Sequence, residues 1–245
     1  VPQTSTAHVL VVTAVPAERD AVAAAFVSPP QHLPSTAGTL HRLRSGATTV
    51  DLLAAGVGPA AAAASTATAL TTAALTGAPY DLVVCTGIAG GFQPQAPNGS
   101  LVVADELVAA DLGAETPEGF TPVTDLGFGT TSHRPAGPLV DQVASATGAR
   151  PGVILTVSTA TGSARRTAEL RDRHPRAVAE AMEGFGVAEA SAAADCALIE
   201  LRAISNPVGP RDRANWRIPE ALAALTRAFG ALTPVLGQLT ETGRA

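Results

Sequence analysis

Short, predominantly apolar runs recur along this 245-residue chain, and segments of helical character separate them. Val9–Val15, Asp81–Cys85, Leu101–Ala110, Val153–Val157, Ala177–Met182 and Leu198–Ile204 read as strands. Runs this apolar suit strands covered on both faces. Helices are expected over Ala17–Phe26, from Pro59 to about Thr76, and over Ala164–Arg173, Phe185–Ala194 and Pro219–Leu239. Proline opens two of them, where its missing N–H costs nothing. Strand alternating with helix implies an α/β fold in three layers, with a mostly parallel central sheet flanked by helices. Thr39–Leu43 and Thr48–Ala54 resemble a hairpin around Ser45-Gly46, and Pro29 to Ser35 reads as a loop. Residues 111–150, rich in Gly, Pro and Thr, show no clear pattern. No linker or repeat divides the chain, so residues 1–245 read as one domain.

Composition narrows the function classes. Hydrophobic residues make up 46% and charged residues 15%, enough to pack a core. A net charge of −5 argues against nucleic acid, whose phosphates need a basic footprint. Every basic residue is Arg, and the clusters at Arg165-Arg166 and Arg171–Arg176 fit a solvated helix and its exit. No stretch is apolar for long enough to span a bilayer, and the N-terminus lacks a basic-then-apolar signal. The cytoplasm is therefore expected, with no membrane partner. Cys85 and Cys196 sit in apolar runs as reduced core thiols. Histidines and cysteines lack metal-ligand spacing, so no metal is expected.

Polar or glycine-rich material stands at several strand exits: Thr13–Arg19, Gly56–Pro59, Thr86–Gly91, Met182–Gly184 and Ser205–Asp212. In a parallel sheet such exits converge on one edge and can share a pocket. Glu18 is either a helix first-turn carboxylate or a site residue. Glu183 is either a helix cap or a ligand for hydroxyls. Thr86–Gly91 offers backbone N–H groups to a phosphate. Trp216 either stacks on a base or anchors the last helix.

In order and spacing, Val11–Glu18, Gly56–Gly58, Thr86–Gly91, Ala181–Glu183 and Arg202–Asn206 resemble the nucleoside phosphorylase/nucleosidase superfamily. The likeness is closest to its methylthioadenosine/adenosylhomocysteine nucleosidase branch. The runs Ile204 to Leu222 and Ala110 to Glu115 resemble the futalosine hydrolases, nucleosidases of the futalosine route to menaquinone. This resemblance implies hydrolysis of an N-ribosyl bond in a small nucleoside, with hypoxanthine released, by a homo-oligomer of two or more subunits. It gives Glu18 the role of base toward water and Glu183 that of ribose-hydroxyl ligand. It places Met182 against the sugar, Ser205 and Asn206 at the purine, and Ile88, Ala89 and Gly90 along the substrate. Arg202 would support the purine-side loop from behind.

Two departures within the superfamily bear on chemistry. Phosphorylases carry Arg and Ser where this chain has Cys85 and Ile88, so the phosphate grip is missing and water is favoured. Adenine-releasing nucleosidases have Asp where Asn206 stands. A 6-oxopurine offers acceptors at N7 and O6, to which an amide NH₂ donates. An amide cannot protonate the leaving base, which leaves Asp212, water or departure as an anion. For the carboxylate beyond C5′ of futalosine, Arg134, Arg165 and Arg166 are the candidate cations.

Overall fold

The computed structural model describes residues 7–243. The readings of the extreme N-terminus, residues 1–6, lie outside the described residues. The chain opens with β1 (His8–Thr13) and α1 (Pro16–Ala23), followed by β2 (Gln31–Ser35), β3 (Gly38–Ser45) and β4 (Thr48–Ala54). Next come α2 (Pro59–Leu75), β5 (Leu82–Gly91), β6 (Leu101–Ala109), β7 (Gly113–Thr116), β8 (Gly119–Pro122), β9 (Ser132–His133) and α3 (Gly137–Thr147). The last part holds β10 (Arg150–Thr156), α4 (Ala164–Arg173), β11 (Ala177–Ala181), α5 (Gly184–Ala193), β12 (Ala197–Pro207), α6 (Ile218–Leu232) and α7 (Leu236–Gly243).

The main sheet runs β11-β10-β6-β12-β5-β1-β4-β3-β2, and β11 also pairs with β5. Its five-strand end, β5-β12-β6-β10-β11, is therefore closed into a ring. Pairings among β4, β1, β5 and β12 are parallel, whereas β12–β6, β11–β5 and the β2–β3–β4 hairpins are antiparallel. The α/β architecture with a mixed, helix-flanked sheet agrees with the sequence expectation.

Several local readings are corrected. Thr86–Gly91 is not a loop but the far half of β5, whose residues pair with β12 on one side and β11 on the other. A Cβ on Gly91 would lie 2.1 Å from Ala96 O, so only glycine lets the strand run this close. Pro29–Ser35 contains β2, an edge strand whose exposure hides any alternation and whose Pro34 is tolerated there. The patternless region holds the β7–β8 hairpin and α3. The expected single helix Pro219–Leu239 is broken at Thr233–Val235, because Pro234 has no N–H to continue it.

Strand β4 carries Asp51, fully buried. Its carboxylate takes hydrogen bonds from Arg42 Nε and Nη2 (2.8 and 2.7 Å) and Tyr80 Oη (2.8 Å), and lies 3.0 Å from His8 Nε2. Burial alone would push this carboxyl up, but these bonds together hold it well below the usual carboxylate range. The cluster ties β1, β3 and the approach to β5 around one charge.

Helix α2 packs against α5 at very short range. A Cβ on Gly186 would stand 2.1 Å from Pro59 O, so the glycine permits the approach. The contact brings the first turn of α2 beside the start of α5, where the site lies.

Candidate active site

A cavity of about 370 Å³ opens where the exits of β1, β4, β11 and β12 meet the far half of β5. All five exit segments contribute to it: Ala14, Val15 and Glu18; Val57; Ile88–Gly90; Ala181–Glu183; and Ser205–Arg211. Ala160, Thr161, Glu180 and Trp216 complete the lining.

Glu18 stands in the first turn of α1 and is only 4% exposed. Its Oε2 accepts from the amides of Ala14 (3.0 Å) and Val15 (3.3 Å), and its Oε1 from the amide of Ile88 (2.8 Å). It thus serves the helix start and reaches into the cavity at once. The Ile88 amide is already taken by this carboxylate, so the backbone here is no phosphate cradle. A Cβ on Gly87 would come within 2.6 Å of Glu18 Oε1 and 2.8 Å of Arg202 Nη1. The bare strand therefore lies directly against both charged groups.

Glu183 occupies the N-cap position of α5 yet does not cap that helix. Its Oε1 accepts from the Gly58 amide at the start of α2 (3.2 Å), and its Oε2 pairs with Arg202 (3.3 Å). Gly58 has φ +92°, which only glycine adopts readily, and this conformation aims its N–H at the carboxylate.

Arg202 is fully buried beneath the cavity rather than behind the purine-side loop. Its Nε donates to Glu200 (2.8 Å), and its Nη2 lies 3.3 Å from both Glu183 Oε2 and Cys85 Sγ. Burial opposes its charge, but the acids around it outweigh that effect and keep the guanidinium protonated. Burial pushes the Cys85 thiol well up, so it stays neutral. Both cysteines are free thiols; Cys196 is only half-buried.

At the other wall, β12 changes register against β5 between Ile204 and Asn206, leaving Ser205 as the extra residue of a bulge. The bulge turns both polar side chains toward the cavity. Ser205 Oγ donates to Asn206 Oδ1 (2.8 Å), which fixes the carboxamide with its NH₂ on the far side. One of those hydrogens goes to Pro207 O (3.0 Å). A single N–H is left for a base, one fewer than the sequence reading assumed.

Met182, Ile88, Ala89 and Gly90 line the cavity as expected. Asp212 does not. It is exposed, outside the lining, and its carboxylate accepts from Asn215 Nδ2 (2.6 Å). Arg134 pairs with Glu106, and Arg165 and Arg166 pair with Glu169; none of the three lines the cavity. Among the described residues, the cation in the lining is Arg211, 5.2 Å from the ring of Trp216. Trp216 is half-buried at the cavity rather than an anchor for the last helix.

Glu180, Thr161 and Glu200 escaped the sequence reading. Glu180 and Glu200 were legible as lone acids inside apolar strands, a pattern costly enough to demand a reason. Thr161 had no such signal. Glu18, Glu180 and Glu183 give the cavity three carboxylates against one arginine. That field disfavours a phosphate dianion and suits a neutral sugar and base.

A ring-closed sheet whose strand exits bring carboxylates and a carboxamide to one cavity defines the class, and the comparisons agree. The phosphorylase superfamily model matches residues 8–237. Futalosine hydrolase of Streptomyces coelicolor is 68% identical over 229 residues, covering 94% of this chain and 96% of that protein. The chain therefore belongs to the phosphorylase superfamily and, within it, to the futalosine hydrolase family. The structure of futalosine hydrolase from Helicobacter pylori superposes with a TM-score of 0.79 at 17% identity, covering 94% of this chain and 98% of that one. A methylthioadenosine/adenosylhomocysteine nucleosidase from S. pneumoniae gives 0.79 at 19% identity, covering 94% and 99%. At those identities the two structures speak for the fold.

Proposed function

We propose that this protein hydrolyses the N-ribosyl bond of futalosine with water, releasing hypoxanthine and the dehypoxanthinyl sugar in the futalosine route to menaquinone. The observation that carries this reading is the meeting of Glu18, Glu183 and Asn206, from three separated segments, around one cavity. The 68% identity to a curated futalosine hydrolase supports the substrate.

Breaking the bond passes through a ribosyl cation, which two carboxylates at the sugar stabilise. Glu183, braced by Gly58 and Arg202, accepts hydrogen bonds from the ribose hydroxyls. Glu18 holds a water against the anomeric carbon. As the C1′–N9 bond breaks, the pair of electrons leaves with the base. The water oxygen bonds to C1′ and its proton passes to Glu18. Asn206 donates its free N–H to the N7/O6 edge, which steadies the departing hypoxanthine anion until water protonates it. Asp212 is outside the lining with its carboxylate on Asn215, so that proton is not assigned to it.

Phosphorolysis is the poorer reading, because a phosphate would face three carboxylates where Arg202 is already engaged by Glu200 and Glu183. Adenine release is disfavoured by the Asn206 donor, which meets the amino group of adenine donor to donor. The reaction needs no cofactor. The whole chain acts as one domain, in the cytoplasm. No helix among the described residues is long and apolar enough to cross a membrane, which fits that location. The protein acts as a homo-oligomer, as the resemblance to the nucleoside phosphorylases and nucleosidases implies.

The test is incubation with futalosine, inosine and methylthioadenosine, each with and without phosphate, with the released base followed by chromatography. Hypoxanthine should appear from futalosine at a rate independent of phosphate. Release that requires phosphate would refute hydrolysis, and adenine without hypoxanthine would refute the substrate.

A further inference from the structure

One buried acid in the cavity has no part in the mechanism above. Glu180 is 7% exposed and lines the cavity. Its Oε1 accepts from the Thr161 amide (2.8 Å) and its Oε2 from the Thr161 hydroxyl (2.5 Å). Among the described residues no basic side chain forms an ion pair with it. A carboxylate has room for about four hydrogen bonds, so acceptor sites remain on both oxygens. Burial pushes this carboxyl up against the opposing pull of the Thr161 bonds and the Arg166 charge, so a ligand N–H that favours the ionised form repays part of that cost.

Its position is set by register. On β5, Gly90 faces Glu180 of β11 on one side and Asn206 of β12 on the other. The two side chains thus start two strand spacings apart, roughly 10 Å, with a glycine between them. A Cβ on Gly90 would already lie 3.0 Å from Val208 Cγ2 and 3.5 Å from Asn206 Nδ2. The missing Cβ makes room for Val208 Cγ2 and the Asn206 carboxamide to close over the strand, and Glu180 lines the same cavity. A planar base held in that cavity can reach both.

We propose that Glu180, fixed by Thr161, accepts a hydrogen bond from N1–H of the 6-oxopurine and is a specificity-determining residue opposite Asn206. The inference rests on the reading of the cavity as a nucleoside site. A 6-oxopurine carries a hydrogen on N1, which a carboxylate welcomes. A 6-aminopurine carries a lone pair there, which a carboxylate repels. Asn206 and Glu180 then read two adjacent positions of the base with opposite polarity, a donor for O6 and an acceptor for N1–H. Sites built to satisfy polar groups on a substrate reject the mismatched analogue strongly.

The experiment compares kcat/KM for futalosine and its 6-amino analogue in wild type, Glu180→Leu and Glu180→Gln. It also compares inhibition of the wild type by hypoxanthine and by 1-methylhypoxanthine, which lacks the N1 hydrogen. In Glu180→Leu the oxo-to-amino preference should fall by about 30-fold or more, the scale of one hydrogen bond to a charged group. Glu180→Gln keeps one carbonyl acceptor and should retain part of the preference. The wild type should bind 1-methylhypoxanthine at least about 30-fold more weakly than hypoxanthine, on the same scale. A well-folded Glu180→Leu whose preference stays within threefold of wild type would overturn the assignment. Equal inhibition by the two bases would do so without any variant, should Glu180→Leu fail to fold. If wild type releases no hypoxanthine from futalosine yet still separates the two bases, the substrate reading fails while the base-reading role of Glu180 stands.

Discussion

Replacing Arg202 with Met should unfasten the floor of the site, and its cost can be worked from two distances. Arg202 is 2.8 Å from Glu200 and 3.3 Å from Glu183. With an effective dielectric near 20, those pairs are worth roughly 6 and 5 kcal/mol of attraction. Desolvating three ions cancels most of that, so the intact network adds little net stability. Removing only the cation is different, because two carboxylates stay buried without compensation, at a cost of about 3–5 kcal/mol. That is a large part of the ~5–15 kcal/mol that holds a domain folded. Arg202→Met combined with Glu200→Leu replaces one whole pair with apolar volume and should recover at least half the loss. Activity should not return with it, since Glu183 would still lack its brace. Urea unfolding of the wild type, both single variants and the double variant measures the first effect, and futalosine turnover the second. A single variant within about 1 kcal/mol of wild type, well below the cost of breaking a buried pair, would refute the network argument. So would a double variant no more stable than Arg202→Met.

Glu18→Gln should cut turnover by about 10²–10⁴-fold, the usual worth of a positioned base, and cost about 1–3 kcal/mol of stability, because its NH₂ must face one of the backbone amides that the carboxylate serves. Glu183→Gln should lose comparable activity and also stability, because Arg202 keeps only Glu200 as an ion-pair partner; calorimetry measures the loss in each variant. Asn206→Asp should move the ratio of specificity constants toward 6-aminopurine nucleosides, and an unchanged ratio would remove Asn206 from base selection. Asp51 is held below its ordinary value of 3.8, so its stabilisation is present above that value and fades as pH falls through the folded-state value. Asp51→Asn should therefore be least stable relative to wild type near neutral pH, with the gap closing below pH 3.8, as acid titration of unfolding will record.

Much of the fold was legible because each element carries its own local pattern. The apolar stretch of β1 and the proline-led start of α2 are both short-range signals. Elements with a mixed or exposed pattern, β2 and α3 among them, were missed. Glu18, Glu183 and Asn206 stood out because each follows an apolar strand, where a polar side chain needs a purpose. Asp212 misled for the same reason, being a charge in the same loop that turns outward to Asn215.

What the linear order determined, then, is the succession of strands and helices and the polar residues at their exits, since those depend on neighbours a few positions away. The tertiary structure alone decided that β5 runs on through its glycines to meet β11, and that Glu180 and Asn206 flank one glycine from opposite sides. It also decided that Arg202 lies beneath Glu183 rather than behind the purine loop. These facts join residues more than a hundred positions apart or on different strands. Strand register and burial set them, and neither leaves a periodic trace in a single chain.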